Sequence, residues 1–114
     1  MMDYSQLSNR DIDALVLQEI YGNQAKDKDI MRAWLRGGFK YTANPADAWP
    51  IIVGHKLSLI NADDEWLCVP DDTAVDGTTG DDVQMIYSRD GYVHANPLRA
   101  AMVVFLMMQE NQNG

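Results

Sequence analysis

The segment NPLRAAMVVFLMM, residues 96–108, constrains the fold of this chain more than any other feature. Its residues 100–108 are nine consecutive apolar residues, and because a membrane span needs about 20, the run belongs to a protein core. Asn96 is a favoured helix cap and Pro97 suits the first helical position, which predicts a helix from Pro97 to about Asn111. A helix that is apolar on all sides is enclosed by its own chain or shared with a second copy. We therefore expect it to be the spine of the core, and we expect homo-oligomerisation through it.

A second Asn-Pro pair begins the segment NPADAWPII, residues 44–52. Asn44 is again a favoured cap and Pro45 suits the first helical position. The residues at helical spacing, which form one apolar face, are Trp49, Ile52 and Val53. Pro50 lacks an amide donor and disfavours helical geometry at the residue before it, so we expect a kink or an early stop. Gly54 closes the segment.

The third helical residue differs in charge between the two segments. Asp47 complements the positive end of the helix dipole, whereas Arg99 opposes it. Arg99 has two interpretations, a salt bridge to an acid such as Asp47 or a strand-turn carboxylate, or a contact with an anion or a partner. The opposite charges also predict that the two helix starts lie together. Trp34 and Trp49 are either core residues or interface residues, so the interaction candidates are Asp47, Trp49, Arg99 and Trp34.

The N-terminal part predicts a helix with signals at both ends. Ser8 is its cap, Asp11 completes a capping box, and Gly22 marks its end. Leu7 is placed to contact Ile12 across the first turn. The residues at helical spacing that should face the core are Ile12, Leu15, Val16 and Ile20. The residues off this stripe that should face water are Asp11, Asp13 and Glu19.

The middle of the chain predicts strands, with one segment left open. Residues 30–36, IMRAWLR, suit a short helix ended by Gly37-Gly38, but they also suit a hairpin that pairs with FKYT about these glycines. Strands are predicted for HKLSLIN (55–61), EWLCV (65–69), VQMIY (83–87) and YVHA (92–95), with turns at Asp63-Asp64 and Asp90-Gly91.

Residues 70–82 separate the second and third predicted strands. They contain five Asp, three Thr and two Gly without apolar periodicity, which predicts a mobile acidic loop. The whole chain, residues 1–114, is short enough for a single domain. The pattern predicts an α+β fold in which two or three helices pack on a small antiparallel sheet of three to four strands.

The chain is strongly acidic, with 17 acidic and 9 basic residues and a net charge of −8. This charge repels nucleic acid and anionic membranes, so neither is expected as a direct partner. It keeps a small protein soluble, and it also suits a basic partner. The first residues, MMDYSQLSNRD, lack the basic and apolar regions of a secretory signal, and the single cysteine gives no sign of an oxidising compartment. A cytoplasmic location is expected.

The motifs of common catalytic and metal sites are incomplete. Asp72, Asp76 and Gly77 match three positions of a calcium loop, but Ala74 and Val83 stand where acidic ligands are needed. One cysteine and two distant histidines do not make a zinc site. Cys68 lies between apolar residues of a predicted strand and is expected to be a small core residue. We expect no enzyme, no metal and no cofactor.

After the opening MDYSQLS, the segments NPADAWPIIVGHKLSLIN (44–61) and NPLRAAMVVFLMMQ (96–109) resemble the NinX family of lambdoid bacteriophages and enterobacterial prophages. These motifs are long and unusual, and they cover about half of the chain. The resemblance implies a phage or prophage protein that works in a bacterial cytoplasm, with variable segments at 22–43 and 70–95. The family is one of unknown function, so the resemblance implies no activity and brings no catalytic residues.

The expected function is that of a non-enzymatic accessory protein that binds a host or phage protein. One alternative is an acidic decoy that mimics DNA and occupies the DNA-binding site of a host protein. Its carboxylates would be those from Asp63 to Asp82, where no Lys or Arg intervenes. A second alternative is an enzyme of unidentified chemistry, which needs a pocket with converging polar groups.

Overall fold

The computed structural model describes residues 3–70 and 91–113. Its helices are α1 (Asn9–Tyr21), α2 (Lys28–Leu35), α3 (Pro45–Gly54) and α4 (Pro97–Asn113), and its strands are β1 (Ser58–Ala62), β2 (Glu65–Val69) and β3 (Tyr92–His94). Short 3-10 turns occupy Tyr4–Gln6 and Gly22–Lys26. The α+β class is confirmed, with four helices in the described part where two or three were expected.

The three strands form one antiparallel sheet in the order β1-β2-β3. β1 and β2 are a hairpin in which Leu59 lies opposite Cys68, and β3 pairs with the other edge of β2. Asp63 and Asp64 form the predicted turn. Asp63 has a φ of 62°, a left-handed conformation that Asp adopts more readily than most residues. The predicted strand at 83–87, the acidic loop at 71–82 and the turn residue Asp90 lie outside the described residues.

α4 is the spine of the core, as predicted. Every residue from Ala100 to Leu106 is at most 4% exposed, and the helix packs against α1, β2 and β3. Each fully buried Val, Leu, Phe or Met side chain contributes about 1.5–3 kcal/mol relative to an exposed one. The same chain therefore encloses the apolar run, and self-association through α4 stays a prediction.

α1 begins and ends where the sequence indicates. The amide of Asp11 donates to Ser8 Oγ at 3.0 Å, and the amide of Ser8 donates to Asp11 Oδ2 at 3.2 Å, which completes the capping box. Gly22 follows the last turn with a φ of 56°. Ile12 and Val16 are fully buried, so the predicted stripe faces the core through the first three turns.

Two residues of α1 differ from the prediction in their exposure to solvent. Ile20 is 43% exposed, whereas Leu17, which was not part of the predicted stripe, is 5% exposed. Asp13 is only 3% exposed. Its Oδ1 accepts a hydrogen bond from the amide of Thr42 at 2.8 Å, and its Oδ2 lies 3.4 Å from Nη1 of Arg10. A buried carboxylate is tolerated only when it is paired in this way.

Residues 28–35 form a helix, so the hairpin alternative is wrong. At the end of α2 the amide of Gly37 donates to the carbonyl of Trp34 at 3.0 Å, and the amide of Gly38 donates to that of Ala33 at 2.8 Å. These two bonds define a Schellman motif. Gly37 has a φ of 90°, and a Cβ on Gly38 would lie 2.8 Å from the carbonyl oxygen of Ala33. The glycine pair therefore ends a helix.

α3 begins at Asn44 as predicted, with Asn44 Oδ1 accepting the amide of Ala46 at 2.9 Å. The helix continues past Pro50 to Gly54, so the expected early stop is wrong. Ala46 and Pro50 are both exposed, so water can solvate the carbonyl that Pro50 leaves without a donor. The buried residues of α3 are Ala48, Ile51 and Ile52. The predicted face of Trp49, Ile52 and Val53 is therefore wrong in two of its three members.

Candidate interaction site

Arg99 is a buried structural residue. It is 5% exposed, and its guanidinium donates at 2.8 Å to Asn9 Oδ1 and to the carbonyls of Tyr4 and Leu7. Within the described part of the chain it forms no ion pair with Asp47 or any other carboxylate. The predicted salt bridge is therefore wrong there, because Tyr4, Leu7 and the first residue of α1, Asn9, offer three acceptors for the guanidinium.

The two helix starts are joined by an amide instead of an ion pair. Asn96 Oδ1 accepts the amides of Leu98 at 2.9 Å and Arg99 at 3.2 Å, which caps α4. Asn96 Nδ2 donates at 2.7 Å to the carbonyl of Thr42, two residues before the cap of α3. Thr42 is 1% exposed. The start of α4 is thus joined to the loop before α3 through Asn96 and Thr42, and not through the predicted pairing of Asp47 with Arg99.

Arg10 holds α2 and the loop after it against α1. Its guanidinium carbon lies 3.3 Å from the ring centroid of Trp34, a cation–π contact. Its nitrogens donate to the carbonyls of Trp34 at 2.8 Å, Gly38 at 3.2 Å and Phe39 at 3.3 Å. Trp34 is therefore occupied by an intramolecular contact on one face, and its indole helps to anchor α2.

Asp47 also has a local role. Its Oδ2 accepts the amide of Lys40 at 3.0 Å, which fixes the loop before α3. Of the four predicted interaction residues, Arg99, Trp34 and Asp47 are thus held by contacts within the chain. Trp49 is different, since it is 59% exposed.

Two helices expose large apolar side chains one turn apart. On α3 these are Trp49 and Val53, at 59% and 54% exposure. On α2 they are Met31 and Leu35, at 41% and 78% exposure. Sequence reasoning missed Met31 and Leu35 because the helical alternative for this segment was left open. On a helical projection both residues fall opposite Ala33 and away from Ile30. This position on the helix is the signal in the sequence that could have indicated their exposure.

A cavity of about 230 Å³ lies beside the exposed pair of α2. α1 contributes Ala14, Leu17 and Gln18 to its lining, the turn after α1 contributes Ala25 and Lys26, and α2 contributes Met31 and Trp34. The lining is mostly apolar, with a lysine at one side. An apolar cavity of roughly 150 Å³ is large enough for benzene, so this one accommodates a large apolar side chain.

A second cavity, of about 140 Å³, holds the carboxylates of Glu19 and Glu110 next to Tyr4. Burial and then the carboxylate of Glu110 raise the pKa of the Tyr4 phenol well above its ordinary value. A phenol held protonated in this way neither ionises nor acts as a base near neutral pH.

The carboxylates of the proposed decoy surface are only partly described. Asp63, Asp64 and Glu65 are exposed at the β1–β2 turn, whereas Asp71, Asp72, Asp76, Asp81 and Asp82 lie outside the described residues. In residues 3–70 and 91–113 no cluster of His, Cys, Asp and Glu is arranged to hold a metal ion. Among the same residues no helix is long and apolar enough to cross a membrane.

The described residues define a small α+β protein with exposed apolar pairs on two helices. A family model described as "Bacteriophage P22, NinX" matches residues 3–109, nearly the whole chain. The chain belongs to this bacteriophage NinX family, and the resemblance of its two Asn-Pro segments is confirmed. Comparison with curated proteins and with solved structures found no match.

Proposed function

We propose that this phage protein is a non-enzymatic accessory protein of the bacterial cytoplasm that binds a host or phage protein. The exposure of apolar pairs on α2 and α3 carries the proposal. Four large apolar side chains, between 41% and 78% exposed, stand in two pairs at helical spacing. Soluble proteins scatter single apolar residues over their surface, whereas paired residues on one helix face are typical of contact sites.

The free energy gained by burying these exposed apolar side chains supports the same function. Burying one such side chain at an interface contributes about 1.5–3 kcal/mol, and Trp is enriched among the residues that dominate binding energy. Within the chain, the buried residues of α3 are Ala48, Ile51 and Ile52, and more than half of Trp49 and of Val53 stays exposed. Their exposed apolar surface would contribute to stability when another molecule covers it.

The experiment is quantitative affinity capture from infected and uninfected bacterial cells. The tagged wild-type chain is compared with two double variants, Trp49→Ser with Val53→Ser, and Met31→Ser with Leu35→Ser. Ile20→Ser is the matched control, because Ile20 is also exposed but lies on α1 and is not among the residues that line the cavity beside Met31. Circular dichroism establishes that each variant remains folded.

A protein captured specifically by the wild type should be lost, by about tenfold or more, with at least one double variant and retained with Ile20→Ser. The fold-change follows from the 1.4 kcal/mol that each factor of ten requires. Repeated absence of a specific captured protein, or capture that is unchanged in both double variants, would contradict the proposal.

A further inference from the structure

Positive charge is concentrated on one part of this acidic chain. Residues 26–40 carry five of the nine basic residues, namely Lys26, Lys28, Arg32, Arg36 and Lys40, against only Asp27 and Asp29. This segment has a net charge of +3, which leaves −11 for the rest of a chain whose total is −8. All five basic residues are exposed. The segment is thus a positive region on a protein that is otherwise strongly negative.

α2 arranges these charges in a stripe beside its exposed apolar pair. Lys28, Arg32 and Arg36 follow each other at a spacing of four residues, so their side chains point in nearly the same direction. Met31 and Leu35 form the next row on the helix surface, and no residue of α2 is buried. We call these five residues the α2 face. It combines a row of cations with a row of large apolar side chains.

The cavity of about 230 Å³ continues the apolar row, since Met31 and Trp34 line it together with Leu17. Its volume is below the roughly 300–1,000 Å³ of sites that enclose drug-sized ligands. It fits one large apolar side chain, and Lys26 at its side provides a further cation. The α2 face therefore offers a pocket for an anchor residue and positive charges around that pocket.

The chemistry of the α2 face selects among anionic partners. A nucleic-acid backbone presents phosphates but no aliphatic side chain for the pocket, and the charge of −11 on the rest of the chain repels a long polyanion. An anionic membrane meets the same repulsion, and two exposed apolar residues supply little insertion energy. A short acidic peptide segment matches both rows and is small enough to avoid the negative remainder.

We propose that the α2 face binds an acidic segment of another protein, with one or two large apolar side chains seated on Met31 and Leu35 and in the adjoining cavity. This assignment rests on the proposed function as a protein-binding accessory protein and names the chemistry of its partner. Carboxylates of the segment pair with Lys28, Arg32 and Arg36. Opposite charges across an interface mainly accelerate encounter and fix orientation, while the buried apolar anchor supplies most of the affinity.

The test is a fluorescence-anisotropy titration of the full chain against a panel of short labelled peptides rich in Glu and Asp. Each peptide carries two Leu or Trp residues one helical turn apart. Matched peptides replace the apolar pair by Ser, or every acid by Gln. At least one acidic apolar peptide should bind, with affinity that falls as salt rises, and both matched peptides should bind about tenfold more weakly or not at all.

Variants of the chain locate the contact. The double variant of Met31→Ser with Leu35→Ser, and the triple variant of Lys28→Gln, Arg32→Gln and Arg36→Gln, should each weaken peptide binding about tenfold. Lys56→Gln, at an exposed cation after α3, and the Trp49→Ser, Val53→Ser pair should leave it unchanged. The proposal is overturned if no acidic apolar peptide binds, or if neither α2 variant changes the affinity for the peptide.

Further outcomes separate the other occupants. Oligo-dT or phosphatidylglycerol vesicles that bind through the same α2 residues, as tightly as the best peptide, would overturn the peptide assignment. So would sedimentation showing a dimer that the α2 double variant dissociates. Cell capture that depends on Met31 and Leu35 without any peptide binding would remove this proposal and leave the proposed function standing. Peptide binding without any captured protein would remove the proposed function and leave the binding chemistry of the α2 face standing.

Discussion

The two Asn-Pro helix starts look alike in sequence, yet their asparagines should contribute differently to stability. Asn44 makes one cap bond, from the amide of Ala46, at an exposed position. Asn96 accepts two amides and also donates to the carbonyl of the buried residue Thr42. Replacement by Ala therefore removes a cap at both sites, and at Asn96 it also leaves a buried carbonyl without its donor.

The magnitudes follow from these contacts. Loss of a cap costs about 1 kcal/mol, which is the expected effect of Asn44→Ala. An unsatisfied buried carbonyl adds about 1–3 kcal/mol, so Asn96→Ala should cost about 2–4 kcal/mol. A domain of this size is stable by about 5–15 kcal/mol, so the second loss is a large fraction of the total.

Asn96→Asp separates the two contributions. Its carboxylate keeps an acceptor for the amides of Leu98 and Arg99, but it cannot donate to the Thr42 carbonyl. It should therefore lose about 1–3 kcal/mol, the part that belongs to Thr42.

The assay is urea unfolding followed by circular dichroism, with slopes of about 1–3 kcal/mol per molar urea. At a slope of about 2 kcal/mol per molar, the midpoint of Asn96→Ala should fall by about 1–2 M, and that of Asn44→Ala by about 0.5 M. Equal losses at the two asparagines, or an Asn96→Asp variant as stable as the wild type, would refute the assignment of Thr42 as the additional cause.

Three further predictions concern the helix end, a histidine and the cysteine. Gly38→Ala should destabilise the chain by about 1 kcal/mol or more in urea unfolding because its Cβ meets the carbonyl of Ala33, whereas Gly54→Ala, with nothing within 4 Å, should not. His94 Nδ1 accepts the amide of Asn96, and burial and then Arg99 lower its folded pKa below 6.5. As the pH falls, the unfolded chain therefore protonates His94 before the folded chain does. The stability that depends on neutral His94 is fully present above about pH 6.5 and is lost as the pH falls through the folded pKa. His94→Gln should remove this pH dependence from the urea midpoint. Burial raises the pKa of the Cys68 thiol to about 12, so at pH 8 it should react with a disulfide reagent only as fast as the chain unfolds, and immediate labelling of the folded protein would contradict this.

The sequence was most informative where a structure depends on neighbouring residues. The caps at Ser8, Asn44 and Asn96 and the Asp63-Asp64 turn form as predicted, because each is decided by side chains within a few residues of the backbone groups they satisfy. The apolar run in α4 predicted the spine for a related reason, since only enclosure can satisfy nine apolar residues in sequence.

The errors concern partners that are distant along the chain. Asp13 was expected to face water, but the amide of Thr42, 29 residues away, makes its burial tolerable. Arg99 was expected to pair with a carboxylate or to contact an anion or a partner, but its guanidinium donates hydrogen bonds to the carbonyls of Tyr4 and Leu7. Pro50 was expected to kink α3 or to end it early, but the helix continues to Gly54, and at the exposed positions of Ala46 and Pro50 water can solvate the carbonyl that has no donor. Periodicity carries no information about any of these partners.

The candidate site was predicted least well, for a related reason. Trp49 was named from its residue type, and it is the one of the four named residues that is mostly exposed in the described structure. Met31 and Leu35 were not named, because seven residues of IMRAWLR could not distinguish a helix from a hairpin. Once the helix is known, its outer row of apolar residues and its row of cations follow directly from a spacing of four.

The contacts of Arg99 have a consequence for the time course of folding during synthesis. The guanidinium joins α4 to the carbonyls of Tyr4 and Leu7, which lie 95 and 92 positions earlier in the chain. Contacts between such distant positions form late, because the intervening chain must first be brought into place. The ribosome makes about 5–20 residues each second, so the N-terminal turn waits several seconds for the helix that completes its hydrogen bonds. The turn at Tyr4–Gln6 is thus made early and is among the last parts of the described chain to reach its final structure.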